Sequence, residues 1–574
     1  MSLALAVSVF HLPRVASARD DAAAAKWVEE TLRSLSLRER VAQLVVVAVQ
    51  GDALGAGGER FDEVRRQVAE NRVGGILVRQ GSPEGVAALT NELQRAARVP
   101  LLVCADYERG LPMQMKSGTP FTNNMGVAAA GDPRAAYRQG LVTAREMRAI
   151  GVNWLLAPVA DINNNPDNPV ISVRSFGENP RRVAEFVTEF VRGVRDGGAL
   201  STVKHFPGHG DTATDSHIGL ATIHADRARL ERIELVPFRA AVKAGVDAVM
   251  TAHVAVPGVA GDELPATLSP KLTASLLREE LKFDRLVATD SLGMGAITKM
   301  FPGGEAAVRA IEAGADVALT PPDPKAAIDA LESAVKSGEL SEERIDASVR
   351  RVLRAKHRLG LAATRLVDAA AVKANVERPE DVREAERVAD ASITLLRNKG
   401  QVLPLDAARA SRALFVVVAA DNDEEEGRRF VPEVARRVKE ARVLRADPRT
   451  TAAEYDSMVA EAARAETVVV AAFVKRAAGK GTVALPEVQA DFIRRLVAVG
   501  RPAAVIAFGG PYLIRQFPDA QAYAVAYAIE EIAQGAAARA LFGETDVRGR
   551  LPVTVPGFFP LGSGLNVEAR GARR

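Results

Sequence analysis

The sequence predicts an α/β protein, a (β/α)8 TIM-like barrel followed by a smaller α/β/α sandwich domain. Three observations carry this. Apolar runs of strand length alternate with amphipathic helical stretches from about residue 27 to residue 360. The runs are rich in Val, Leu and Ile with little alternation, as expected of strands buried on both faces of a parallel sheet. There are eight of them, the number that closes such a barrel.

In order the runs are AQLVVVAV (42–49), VGGILV (73–78), PLLVCA (100–105), VNWLLAP (152–158), LSTVK (200–204), VDAVMTA (246–252), RLVATD (285–290) and ADVALT (315–320). Between them lie helical patterns such as FDEVRRQVAEN, DPRAAYRQGLVTAREMRAI and DPKAAIDALESAVKSG. Trp154 sits inside the fourth run and reads as core. The simplest alternative, a doubly wound sheet, needs a reversal of strand order. The barrel is placed at residues 21–364 and a charged linker at 365–388. The sandwich follows at 389–574, with strands ALFVVVA (413–419), ARVLRA (441–446), TVVVAAF (467–473), PAAVIAFG (502–509) and AYAVAYA (522–528). Helical patterns separate most of these, which is the three-layer signature. No repeat period points to a solenoid.

Composition narrows the function. The 574 residues are 48% hydrophobic and 26% charged, an ordinary globular mixture. The formal net charge is +3, with no basic stripe of the kind nucleic-acid binders carry. The single cysteine, Cys104, allows no internal disulfide and no Cys-based metal site. No apolar run reaches membrane-spanning length. Residues 1–20 are read either as the remnant of a secretory signal or as a disordered arm. Leu3–Phe10 has the form of an apolar region and Ala16-Ser17-Ala18 that of a cleavage site, but no Lys or Arg precedes them. The first reading implies export and the second a cytoplasmic location. Oligomeric state is not legible.

In this barrel class, chemistry sits at the C-terminal ends of the strands. Polar residues end five consecutive predicted strands. Asp106 follows the third, and the loop after the fourth holds Asp161 and Arg174. Lys204-His205 close the fifth, Thr251-Ala252-His253 the sixth and Thr289-Asp290-Ser291 the seventh. Asp290, at the end of an apolar strand, is placed either as a rigid nucleophile or as a carboxylate capping the next turn. Asp215, two residues before His217, has the spacing to hold an imidazole N–H and stabilise its cation, the orienting half of a triad. Histidine both donates and accepts near neutrality. The bland reading is a solvated loop pair. A third reading is zinc bound by His205, His209, His217 and Asp215, although no HExxH-type spacing is present. Asp106, Arg174, Lys204 and His205 suit directional hydrogen bonds to sugar hydroxyls, or else ion pairs capping the barrel.

The run KHFPGHGDTATDSH (204–217) matches, nearly residue for residue, the K-H-F-P-G-H-G-D-T-x-x-D-S-H signature of glycoside hydrolase family 3. The chain therefore resembles that family, in its β-N-acetylglucosaminidase branch. Supporting segments are FTNNMGVAAAGD (121–132), APVADIN (157–163), RSFGENP (174–180), MTAHVAVP (250–257) and ATDSLGMGAI (288–297). ASITLLRNKGQVLPL (391–405) and GRLPVTVPGFFPLGSGL (549–565) resemble the family's C-terminal domain, so the likeness spans about residues 27–565. It implies Asp290 as nucleophile and His217, paired with Asp215, as general acid/base. It implies Asp106, Arg174, Lys204 and His205 as the grip on a terminal N-acetylglucosamine. No cofactor or metal is implied. The implied substrates are peptidoglycan fragments or chitin oligosaccharides, cleaved from the end with retention. β-Glucosidase and phosphorylase activities of the same family are the near alternatives. A non-catalytic sugar-binding protein and a metal-dependent hydrolase are the distant ones.

One segment departs from the family pattern. DYERGLPMQM (106–115) stands against D-x-E-G-G-x-x-x-R, so Arg109 replaces a Gly and Gln114 an Arg. Gln keeps hydrogen bonding but loses charge and bidentate reach. In the second domain GKGT (479–482) has the end of a phosphate loop without its upstream Gly, Val474 standing there instead, and is not read as one. No catalytic constellation is legible in that domain.

Overall fold

The computed structural model describes residues 18–56 and 58–570. The reading of residues 1–20 therefore falls mostly outside the described residues. The first described helix runs Ala18–Arg33.

Eight parallel strands form the N-terminal ring: β1 (Val45–Gln50), β2 (Gly75–Arg79), β3 (Leu102–Ala105), β4 (Trp154–Leu155), β5 (Thr202–Phe206), β6 (Ala248–Thr251), β7 (Leu286–Thr289) and β8 (Ala318–Leu319). One run is ordered β8-β1-β2-β3-β4 and a second β5-β6-β7. Parallel bridges Trp154–Leu200 and Ala288–Val317 join the two runs at both seams and close the barrel. Each predicted strand is present and starts one to three residues later than expected, and β1, β2 and β5 run past their expected ends. The ring is lined by fully buried Val, Ile, Leu and Ala. Trp154 is buried as expected, and its indole donates to Thr202 Oγ1 at 2.7 Å. Helices such as Arg134–Ala149 and Pro180–Asp196 wrap the outside with their apolar stripes inward.

The second sheet has six strands: β9 (Thr394–Asn398), β10 (Ala413–Ala419), β11 (Arg442–Ala446), β12 (Thr467–Phe473), β13 (Ala503–Phe508) and β14 (Ala522–Val525). Its order is β9-β14-β13-β12-β10-β11. Only β9 is antiparallel, against β14. Alternate residues of β10, β12 and β13 feed two separate cores. Phe415, Val417, Val469 and Ala471 lie on one face, and Leu414, Val416, Val468 and Val470 on the other. That is the three-layer sandwich. The five parallel strands follow the order 2-1-3-4-5, which places a topological switch point between β10 and β12, the crevice where such sheets take their ligands.

The edge strand β9 was not among the strands expected. Residues 365–388, read as a linker, carry the helix Val372–Asn375 and most of the helix Pro379–Ser392. Ala385 and Ala389 of the latter are buried in a core of the second domain, and we propose that this domain begins near residue 379.

The two domains share apolar packing. Phe121 and Val142 of the barrel chain enter one sandwich core, and Met125, Ala129 and Val173 enter the other. This packing turns the loop after β12, residues 474–486, toward the barrel mouth.

Candidate active site

A cavity of about 990 Å³ opens at the C-terminal ends of the barrel strands. Asp106, Arg174, Lys204, His205, His217 and Asp290 all line it. Asp215 stands behind His217. The structure thus brings all seven residues picked out from the sequence to one mouth.

Four of them form a charged lattice. Lys204 Nζ, almost fully buried, donates to Asp106 Oδ1 at 2.7 Å and lies 2.9 Å from Glu108 Oε1. Arg174 grips Glu108 bidentately, Nε to Oε2 at 2.9 Å and Nη2 to Oε1 at 2.6 Å. Burial would raise the Glu108 carboxyl, but the Arg174 and Lys204 cations hold it well below the usual range. Arg174 Nη2 also sits 3.3 Å from His205 Nε2. His205 Nδ1 donates to Asp161 Oδ2 at 2.7 Å. Asp161, wholly buried, also accepts the backbone N–H groups of His205 and His209. One carboxylate therefore fixes the start of the loop that leads to His217. Gly210 belongs to the same device, because a Cβ there would overlap the Ile162 carbonyl.

His217 Nδ1 donates to Asp215 Oδ1 at 2.8 Å, and the same oxygen accepts the His217 backbone N–H at 2.9 Å. This leaves Nε2 without a hydrogen bond among the described residues, on a side chain that lines the cavity. The other Asp215 oxygen accepts the Gly479 N–H at 2.9 Å, from the second domain. Burial would raise the Asp215 carboxyl, but the N–H donors and the imidazole bring it below its ordinary value.

Asp290 Oδ1 accepts the Ser291 N–H at 2.7 Å, and Oδ2 has no partner among the described residues. Burial pushes this carboxyl up, yet His253, His205, the Ser291 N–H and Lys204 outweigh it and bring it to about 2. His253 Nε2 donates to the Ser291 carbonyl at 2.8 Å, so it steadies the turn that carries Asp290.

The zinc reading finds no geometry. His205 is committed at Nδ1 to Asp161, and His209 lies between Thr212 Oγ1 and Ser216 Oγ at 2.8 and 2.9 Å. Among the described residues no group of three or more His, Cys, Asp or Glu has ligand spacing.

Glu108, Arg476 and Gly479 are participants that the sequence reading does not pick out, whereas Arg109 and Gln114 stand out there as departures from the family pattern. Glu108, two residues from Asp106, is the counter-ion shared by Arg174 and Lys204. Arg109 spans to the second domain and pairs with Glu530 at 2.6 Å, which gives the replaced Gly a physical role. Gln114 lines the cavity. The second domain, read as having no catalytic constellation, contributes Arg476 to the cavity wall and Gly479 to Asp215. Gly479 adopts φ +75°, which aims its N–H at the carboxylate.

The strand ends of this parallel barrel thus bring carboxylates, a histidine and hydrogen-bonding cations to one cavity. The chain belongs to glycosyl hydrolase family 3 and is a glycoside hydrolase. Residues 36–355 match the family profile "Glycosyl hydrolase family 3 N terminal domain", and residues 393–559 match "Glycosyl hydrolase family 3 C-terminal domain". A "Beta-N-acetylglucosaminidase/beta-glucosidase" of Cellulomonas fimi is 32% identical over 398 residues, 68% of this chain and 69% of that protein. "Beta-hexosaminidase LpqI" of Mycobacterium tuberculosis is 36% identical over 330 residues, 55% of this chain and 82% of that one. Among solved structures, a glycoside hydrolase family 3 beta-N-acetylglucosaminidase from Paenibacillus sp. str. FPU-7 superposes with a TM-score of 0.81 at 38% identity. That superposition covers 91% of this chain and 99% of that one. The beta-glucoside phosphorylase BglX superposes at 0.84 with 27% identity, covering 95% and 98%.

Proposed function

We propose that the protein is a retaining exo-β-N-acetylglucosaminidase acting on peptidoglycan fragments or chitin oligosaccharides. The observation that carries this is a pair of free atoms on one cavity, Oδ2 of Asp290 and Nε2 of a His217 held from behind by Asp215. A carboxylate ionised down to about pH 2 is ready to attack. An imidazole backed by a carboxylate can carry a proton either way.

In the first step Asp290 attacks the anomeric carbon while His217 protonates the departing oxygen, and a glycosyl ester forms on Asp290. In the second step water, giving a proton to His217, attacks the anomeric carbon and displaces the Asp290 carboxylate, which releases the sugar. Asp106, Arg174, Lys204 and His205 hold the sugar from which the bond breaks. Hexosaminidase names among the relatives support the N-acetylated substrate.

The test is release of p-nitrophenol from its β-N-acetylglucosaminide and its β-glucoside, with EDTA and with phosphate. Preference for the N-acetylated glycoside, lost in Asp290→Ala and indifferent to EDTA, is expected. Preference for the glucoside would move the protein to the β-glucosidase branch. Acceleration by phosphate would make it a phosphorylase, as the likeness to BglX allows.

A further inference from the structure

Two cations on the cavity wall, the exposed Arg79 and the half-buried Arg476, make no ion pair among the described residues. Lys204 is answered by Asp106 and Glu108, Arg174 by Glu108 and Arg109 by Glu530. Asp215 is answered by His217. Arg476 lines the same cavity, half-buried, and makes no ion pair or side-chain hydrogen bond among the described residues. Burial, followed by the nearby Arg174 cation, brings its guanidinium down to about 10. It still carries its charge at neutral pH. Glu108 and Asp215 attract it without touching it, so the donors of the guanidinium fork remain available to a ligand.

Its position says which side of the reaction it faces. Arg476 lies three residues before Gly479, whose N–H holds Asp215 behind His217. Its charged neighbours are Arg174, Glu108 and Arg109 beside the sugar grip and Asp215 of the proton-transfer pair, so Arg476 stands between that grip and the side on which, on the proposed roles, His217 meets the departing oxygen. The loop that bears it follows β12 at the switch point of the second sheet, and Lys475–Asp423 and Lys480–Asp421 pin it there at 2.6 and 2.7 Å. The crevice where a doubly wound sheet takes its ligands is thus turned onto the barrel mouth.

We infer that Arg476 is the binding residue for an oxyanion in the cavity, between the sugar grip and the His217–Asp215 pair. The oxyanion is either a carboxylate carried by the departing group or a free inorganic phosphate. Both present the oxygen pair that a guanidinium fork recognises. This inference rests on the glycosidase reading for its orientation and on the unpaired guanidinium for the anion.

The experiment compares wild type, Arg476→Lys and Arg476→Met. It uses the β-N-acetylglucosaminides of 4-nitrophenol and of 3-carboxy-4-nitrophenol, with and without phosphate, and thermal unfolding as the folding control. If the anion travels on the leaving group, the kcat/KM ratio of carboxylated to neutral substrate falls about 10-fold in Arg476→Met and is partly kept in Arg476→Lys. If the anion is free phosphate, that ratio is the same in all three proteins. Phosphate then alters the kinetics of the neutral substrate in wild type and not in Arg476→Met. Identical substrate ratios together with identical phosphate responses would overturn the inference. If wild type cleaves neither substrate, the glycosidase reading fails separately. The anion site is then decided by phosphate titration, followed as a rise in unfolding temperature. A rise in wild type that is absent in Arg476→Met supports it, and equal behaviour overturns it.

Discussion

Two histidines eight residues apart in one loop have opposite fates. His209 is buried, with both ring nitrogens occupied by Thr212 and Ser216, and burial takes it down to about 4. His217 has one nitrogen on Asp215 and the other free, on a side chain 32% exposed at the cavity. The same contrast recurs among the carboxylates. Glu108 is saturated by two cations, whereas Asp290 keeps one oxygen bare. Residue type does not separate a structural group from a reactive one here. What separates them is whether neighbours consume all of its hydrogen-bonding capacity.

The contrast breaks most sharply at Asp290. Asp290→Ala is expected to slow turnover by ~10³-fold or more, with little change in unfolding temperature. A loss under tenfold in p-nitrophenol release would remove Asp290 from the nucleophile's role. His217→Ala should slow substrates with poor leaving groups by ~10²–10⁴-fold and activated aryl glycosides much less. Equal slowing of both would sink the acid role. Asp215→Asn should lose on the order of 10²-fold with the same leaving-group pattern, because an amide no longer imposes the tautomer. A pattern unlike that of His217→Ala would disconnect the pair.

The saturated side should answer in stability instead. The unfolded chain protonates its histidines near ~6.5, while folded His209 does so at about 4. The folded state therefore binds fewer protons between these values. Its stability is complete above ~6.5 and falls as the pH drops toward 4, by about 3 kcal/mol from this group. Denaturant unfolding at pH 7 and pH 4.5 measures this, and His209→Gln should flatten the difference. An unchanged difference in that variant would assign the acid sensitivity elsewhere. The smallest effect is His209→Ala at neutral pH, about 1–2 kcal/mol from the stranded Thr212 and Ser216 hydroxyls.

The barrel was legible because its strands are buried on both faces, so each prints a continuous apolar run. The same holds for β10 and β12, whose predicted and observed limits coincide. The strand β9 hid because it is a short edge strand with a mixed sequence, TLLRN. At the site, Asp106, Lys204, Asp215, His217 and Asp290 were visible as polar residues ending apolar strands or set in the glycine-rich loop. Glu108 is not legible as a site residue, since nothing local in the sequence shows that Arg174 lies opposite. Gly479 bonds Asp215, 264 positions earlier, and Arg476 lines the barrel cavity from the same loop, and no pattern within that loop records either. GKGT is a case in point. Its pattern excludes a phosphate loop but does not show that Gly479 and Lys480 serve Asp215 and Asp421.

The Gly479 clamp on Asp215 has a consequence for how the enzyme comes into being. Chains are synthesised from the N-terminus, and domains generally fold in that order. The barrel is complete in sequence well before Gly479 leaves the ribosome. On the proposed roles, a newborn barrel holds its nucleophile while its proton-transfer pair still lacks a backing contact. The contact from Gly479 to Asp215 can form only once the second domain has docked, so the last hydrogen bond of the proposed pair is supplied after the barrel itself has been synthesised.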